Sequence, residues 1–255
     1  MRLVATCAAA LVAATSGCGS GGQDATSVPE DPATALERAA ERLREESSFR
    51  FTLSYTRTRA DRPDDAERYA EGEGALDLAT GRGRMTFELD LGLPGDESPD
   101  VEEPFELRWS RERLHVTWQG KSDSSSRSRA RESRALMGVL PDEPEALVDL
   151  LAKGREARVA GREALAGMEV VRVRFVVDAR AAGRAGVPPE LHRLGAAGGL
   201  GATLPMETWI AADGLPRVVA YQVSLKPTRI LKTRLPSRTI RGEYRLEAFG
   251  EPFRG

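Results

Sequence analysis

The chain has 255 residues, 40% hydrophobic and 30% charged, with 37 basic against 39 acidic residues and a formal net charge of -2. That length suffices for one sizeable core, and the absence of a domain-scale basic field disfavours nucleic acid as a partner. Lysine occurs only at positions 121, 153, 226 and 232; with abundant Ala and Gly, this arginine-dominated usage suggests a GC-rich genome.

Arg2 gives a minimal basic start, Leu3 to Ala14 is an almost unbroken apolar run, and Thr15-Ser16-Gly17 leads with small residues into Cys18. An apolar core of about a dozen residues suits a signal peptide and falls short of the roughly 20 that span a bilayer. A cysteine directly after Ser-Gly and before Gly19-Ser20-Gly21-Gly22 resembles the lipobox of bacterial lipoproteins, with Thr15 where that motif usually has Leu, Val or Ile. The resemblance implies cleavage before Cys18, a diacylglyceryl group on its thiol, acylation of the new amine and an anchor on the extracytoplasmic face of the cell membrane. Two or more acyl chains are what stable anchoring requires. An ordinary secretory peptide with an incidental cysteine is the alternative.

Residues 1–17 are thus expected to be a lipoprotein signal peptide, 18–30 a flexible Gly, Ser and Thr-rich tether, and 31–255 the folded domain. Cys7 would leave with the peptide and Cys18 would carry the lipid, so the mature domain would hold no thiol for a disulfide, metal or nucleophile. Charged residues interrupt every apolar run after residue 18, and no membrane-spanning helix is expected.

Asp31-Pro32 is a helix start, with Asp as N-cap and Pro in the first turn, and Leu36, Ala39, Ala40 and Leu43 recur at helical spacing to about Ser47. The period then becomes two. Phe49, Phe51, Leu53 and Tyr55 mark a half-buried strand. Residues 57–68, charged and holding Pro63, read as a solvent loop. Tyr69 to Leu78 is a second strand weakened by Gly72 and Gly74, and Met85, Phe87, Leu89 and Leu91 mark a third. An acidic, Pro-rich loop from Gly92 to Pro104 precedes strands at Phe105, Leu107, Trp109 and at Leu114, Val116, Trp118. Short connections between successive strands favour an antiparallel meander over a parallel α/β sheet.

Lys121 to Arg134 is a Ser/Arg run expected to be a solvated, mobile loop rather than a lipid-facing basic patch. Pro141 to Lys153 reads as a second amphipathic helix capped by Gly154. A hairpin follows around Ala166-Gly167, its second arm turning Val171, Val173, Phe175 and Val177 one way and Arg172 and Arg174 the other. The Ala/Gly-rich segment 179–204 holds a short helical piece from Pro188 to Leu194. Met206 to Ala212, an Asp213-Gly214 turn and Val218 to Leu225 form another hairpin, and a strand from about Arg238 to Phe249 ends the chain.

Catalytic constellations are absent from this pattern. His115 and His192 are the two histidines, and with no usable cysteine they cannot complete a zinc site. No serine sits in a nucleophile elbow, the acids at 64–67 and 96–103 fall in loops, and the 195–201 glycine run lacks a phosphate-binding lysine. No enzyme, no cofactor and no metal are therefore expected.

The second helix leading to Val159-Ala160-Gly161-Arg162-Glu163, then Gly167-Met168-Glu169-Val170-Val171, and Leu204-Pro205-Met206-Glu207-Thr208-Trp209-Ile210 running into Asp213-Gly214-Leu215-Pro216, stand behind the Cys18 motif. Together they resemble actinobacterial lipoproteins of the LppX/LprG type, relatives of the LolA lipoprotein carriers. The resemblance covers about residues 31–250. It implies an α+β fold, a curved antiparallel sheet forming an incomplete barrel whose concave face is covered by helices. It also implies an apolar cavity for an acylated lipid, lined by Phe51, Leu53, Phe87, Leu89, Trp109, Trp118, Val173, Phe175 and Trp209. The expected protein is a monomer, membrane-held through Cys18, that binds or carries an apolar ligand. An anchored interaction or sensor module with a filled core is the alternative.

Overall fold

The helices and strands foreshadowed by these periodicities stand in the computed structural model, which describes residues 31–59, 62–89, 104–126, 145–178, 182, 203–225, 228–230, 233–235 and 237–253. The first helix, α1 (Pro32–Glu45), starts at Asp31, whose backbone is extended and whose carboxylate accepts the N–H groups of Ala33 at 3.4 Å and Thr34 at 3.0 Å. Those are two of the four donors that a helix start leaves unpaired. Arg42 and Arg44 sit in the last turn, where cations suit the helix dipole. Ser47, at φ 59°, then turns the chain, so the helix stops just short of the expected end and the first strand begins at once.

Eleven strands make one sheet, antiparallel at every junction: β1 (Ser48–Arg59), β2 (Arg62–Asp77), β3 (Arg82–Leu89), β4 (Phe105–Trp109), β5 (Arg113–Trp118), β6 (Lys121–Ser126), β7 (Arg155–Leu165), β8 (Met168–Asp178), β9 (Thr203–Ala211), β10 (Pro216–Leu225) and β13 (Arg238–Glu247). The order across the sheet is β6-β5-β4-β3-β2-β1-β13-β10-β9-β8-β7, and the outer strands β6 and β7 do not meet, so the curved sheet is an incomplete barrel. A short ribbon of β11 (Thr228–Ile230) and β12 (Thr233–Leu235) lies between β10 and β13. The second helix, α2 (Glu145–Ala152), precedes β7 and packs beside α1. This is the α+β half-barrel expected.

One sheet face carries the core. Phe49, Phe51, Leu53 and Tyr55 of β1, Ile240, Tyr244 and Leu246 of β13, Val219, Tyr221 and Val223 of β10, and Val171, Val173, Phe175 and Val177 of β8 are all buried. With them are buried Ala35, Leu36, Ala39, Ala40 and Leu43 of α1 and Leu147, Val148, Leu150 and Leu151 of α2. Each buried Leu or Phe side chain is worth about 1.5–3 kcal/mol, so this shared apolar layer is the main tie between helices and sheet.

Two expected loops are strands instead. Residues 57–68 belong largely to the β1–β2 hairpin, which runs to Arg59 and resumes at Arg62. Pro63, which cannot donate to a ladder, falls in a break of register: Arg59 faces Arg62, whereas Thr58 faces Ala66. Lys121 to Ser126 is edge strand β6, paired with β5 through a turn whose Gln119 and Gly120 both have positive φ (49° and 66°). That turn geometry matches strand twist, and backbone pairing at an exposed edge needs no apolar side chains. The expectations for the 92–103 loop, residues 127–134, the 188–194 helical piece and Cys18 fall outside the described residues.

Candidate functional site

The concave face is built on a repeated juxtaposition of an aromatic ring with a glycine directly across the ladder. Phe51 faces Gly74, Trp109 faces Gly83 and Tyr221 faces Gly242. In each case the ring occupies the space that a Cβ on that glycine would need. Rings laid down on bare backbone keep the face smooth where upright side chains would crowd the inside of a curving sheet. The glycines that weaken β2 as an isolated strand are therefore what allow the aromatic residues to lie there.

Two further aromatic contacts extend this surface. Phe87 stacks on Phe105 with centroids 5.0 Å apart, and Phe105 on Trp118 at 5.2 Å, so three rings form a pile that begins in the core and ends at the β5–β6 hairpin. In the middle of the sheet Phe51 packs against Tyr244 and Tyr55 against Tyr221, with ring centroids 6.0 and 6.3 Å apart. Tyr55, Tyr221 and Tyr244 are large buried side chains of this face that the sequence reading did not place in the site. Their signal was available in the alternation Val219, Tyr221, Val223 and Ile240, Gly242, Tyr244, Leu246.

The helices lie over the other wing. A Cβ on Gly154 would strike the side chains of Leu36 and Phe175, which shows how closely α1, the start of β7 and β8 converge. Arg44 of α1 also reaches Asp149 of α2 at 3.4 Å.

Of the residues expected to line a cavity, Phe51, Leu53, Phe87, Trp109, Val173 and Phe175 lie buried on the concave face. Leu89 belongs to β3, its side chain lying outside the described residues. Trp118 shares the face but stands at its rim, 36% exposed. Trp209 is on the opposite face. In β9 it is Leu204, Met206, Thr208 and Ile210 that are buried, while Trp209 shares its parity with Glu207. Its indole N–H is donated to the Glu163 carboxylate, and the Arg172 guanidinium sits 5.2 Å from the ring centre. The resemblance implied the interior; strand parity puts the ring on the other face. Thr208 is buried in its place, its hydroxyl donating to the Val218 carbonyl at 2.9 Å beside the register shift between β9 and β10.

The convex face is polar. Arg172 and Arg174 of β8 donate to Glu207 of β9 at 2.9 and 2.6 Å, Arg241 lies 3.9 Å from the same carboxylate, and Glu243 binds both Arg241 and Arg245. Burial alone would raise the Glu207 carboxyl, but hydrogen bonds and charge from Arg172 and Arg174 outweigh it and hold the group below the ordinary 4.5. Two shallow grooves cross this face. One of about 310 Å³ is lined by Glu207, Gln222, Ser224 and Arg241, and one of about 500 Å³ by Thr52, Ser54, Glu71, Glu73, Arg68 and Arg245. Both walls mix these charged and polar groups with apolar ones, among them Pro205 and Ala220 in the first and Leu53 and Phe87 in the second. Among the described residues no group of three or more His, Cys, Asp and Glu is placed to hold a metal, and His115 is exposed on the convex side of β5.

This open antiparallel half-barrel, with an apolar concave face under helices, is shared by solved structures. LprF from Mycobacterium bovis superposes with a TM-score of 0.56 over 89% of this chain and 97% of its own, at 12% identity. Lipoprotein LppX from Mycobacterium tuberculosis does so with a TM-score of 0.54 over 87% and 96%, also at 12% identity. The chain therefore has the LppX/LprF-type fold. No protein-family model matches the sequence, and no curated protein matches it either.

Proposed function

We propose that this protein is a lipid-anchored extracytoplasmic lipoprotein that binds an apolar or acylated ligand between the concave face of its sheet and the covering helices, without catalysing a reaction. The observation that carries this is the continuous apolar face from Phe87 and Trp109 through Phe51 and Tyr244 to Val173 and Phe175, which shares one buried cluster with α1 and α2. The match to LprF and LppX across nearly the whole fold supports it, as does the lipobox-like sequence ending in Cys18. Apolar walls of this length suit acyl chains and offer no charged group to hold a polar substrate.

The near-complete burial of the same face favours a second proposal, a filled core serving an anchored interaction module. Leu43 and Val173 retain 0% accessible surface, Leu36 and Phe87 1%. Side chains with no accessible surface border no water-sized void, so at these positions the face is closed by packing.

Native mass spectrometry of the purified lipoprotein, with organic extraction in parallel, separates the two. A co-purifying lipid of defined mass, beyond the covalent acyl groups, is the outcome expected for a binder. Protein mass alone, unchanged after incubation with diacyl lipids, would sink ligand binding and leave the filled-core module. The anchor has its own check: Cys18→Ala should move the protein from the membrane fraction to the soluble one.

A further inference from the structure

The two ends of the sheet differ. At one end, the tight-turn end, lie four short connections: Leu78–Gly81 between β2 and β3, Ser110–Glu112 between β4 and β5, Ala166–Gly167 between β7 and β8, and Ala212–Leu215 between β9 and β10; the Gln119–Gly120 turn lies at the other. The start of β1 is there too, directly after α1. Helix α1 runs between the ends. Near its C-terminus a Cβ on Gly214 would meet Arg42, and one on Gly250 would meet Glu46, both at the tight-turn end. One and a half turns earlier, Leu36 meets Gly154 and Phe175, and Gly154 opens β7 at the end away from the Ala166–Gly167 turn. Asp31, at the head of α1, is therefore carried toward the far end.

At that far end is the β5–β6 hairpin with Trp118. The indole is 36% exposed although its partners in the ring pile are not: Phe87 is 1% exposed, Phe105 lies flat between the two, and the Phe105–Trp118 planes are 10° apart. Stacking thus props an apolar ring outward on a rigid base. Directly across the ladder from it stands Lys121, and the Gln119–Gly120 turn forms the tip. An exposed indole beside a lysine is the pairing that settles at a headgroup boundary, the ring at glycerol depth and the ammonium on phosphate. Trp209, by contrast, is engaged by Glu163 and Arg172 on the convex face. Met168, 40% exposed, lies at the tight-turn end, away from the start of α1.

We infer that the Trp118 hairpin docks on the phospholipid bilayer, so that this end of the half-barrel faces the membrane and the tight-turn end faces away. The inference rests on the anchored-lipoprotein proposal. The segment from Cys18 to Asp31 spans at most about 45 Å when fully extended. A tether that short, joined at the head of α1, keeps the Trp118 end within reach of the surface in which Cys18 is held.

The test uses the full lipidated protein in vesicles of phosphatidylcholine and phosphatidylglycerol whose acyl chains are brominated, with flotation and tryptophan emission read together. Trp109, Trp118 and Trp209 are the three tryptophans. The wild-type protein should float and lose emission to the bromolipid, W209F should be quenched as strongly as wild type, and W118F should lose most of the quenching. Phe keeps the ring pile, and an unchanged circular dichroism spectrum establishes that W118F is folded. Flotation with equal quenching in wild type and W118F would overturn the docking while leaving the anchor intact. Failure to float would overturn the anchor, and the docking with it.

Discussion

The two wings of the sheet each bury one face, by different means. From β1 to β5 the sheet's own aromatic side chains pack across opposing glycines: Phe51 on Gly74, Trp109 on Gly83, and the pile of Phe87, Phe105 and Trp118 beyond. From β7 to β9 the concave residues are mainly β-branched, Val171, Val173 and Val177, and α1 supplies part of the cover, Leu36 meeting Phe175. The first wing is fixed by ring-on-backbone contact within the sheet. The second depends on a separate element whose displacement would uncover it. Moving α1 would break side-chain contacts and no sheet hydrogen bonds.

Deleting one anchor in each wing gives the largest expected effects. Phe51→Ala should cost about 3–5 kcal/mol, since it opens a void over Gly74, and Leu36→Ala about 2–5 kcal/mol. The measurement that distinguishes the wings is native-state amide exchange. Leu36→Ala should raise exchange in β7 to β9 and leave β2 to β4 protected, whereas Phe51→Ala should loosen the central strands. Equal loosening everywhere in both variants would show that the wings do not differ. Filling a glycine tests the same design from the other direction. In Gly74→Val the new side chain must displace the Phe51 ring and press on the Arg84 carbonyl, at about 1–3 kcal/mol in denaturant unfolding.

The smallest effect belongs to the convex ladder behind the second wing. Glu207→Gln should cost roughly 1 kcal/mol, because its arginines are partly solvated and the pairs are screened. The Glu207 carboxyl titrates lower in the folded protein than in the unfolded chain. Its contribution is therefore complete above the ordinary 4.5 of a glutamate and disappears as pH falls through the lower folded value. Thermal unfolding from pH 6 downward should show wild type and Glu207→Gln converging in the acid range. A constant gap would place the effect elsewhere.

Much of this was legible in the sequence where one physical rule acted alone. Strict alternation located β1, β3, β4, β5 and β8, and Asp31-Pro32 marked the start of α1. It failed where two rules competed. The β1–β2 hairpin extends through charged residues because an exposed ladder needs only backbone groups, and β6 follows for the same reason. Trp209 was placed inside by the resemblance, although its parity with Glu207 puts it outside. The glycines of β2 looked like weakness because their partners, Phe51 on β1 and Phe87 on β3, are identified only once the register is known.

The pairing of β1 with β13 joins the two wings, and it brings together the first and last strands of the domain. Each wing is a local meander that can form as soon as its own residues are available, but the seam between them has a very long sequence separation. Loop-closure entropy must be met before that contact stabilises anything, so folding should be slow, with the seam formed last. During synthesis the first strand would wait, one edge unpaired, until residues 238–247 emerge. A chain cut before them would keep both meanders and lack the strand that makes them one sheet.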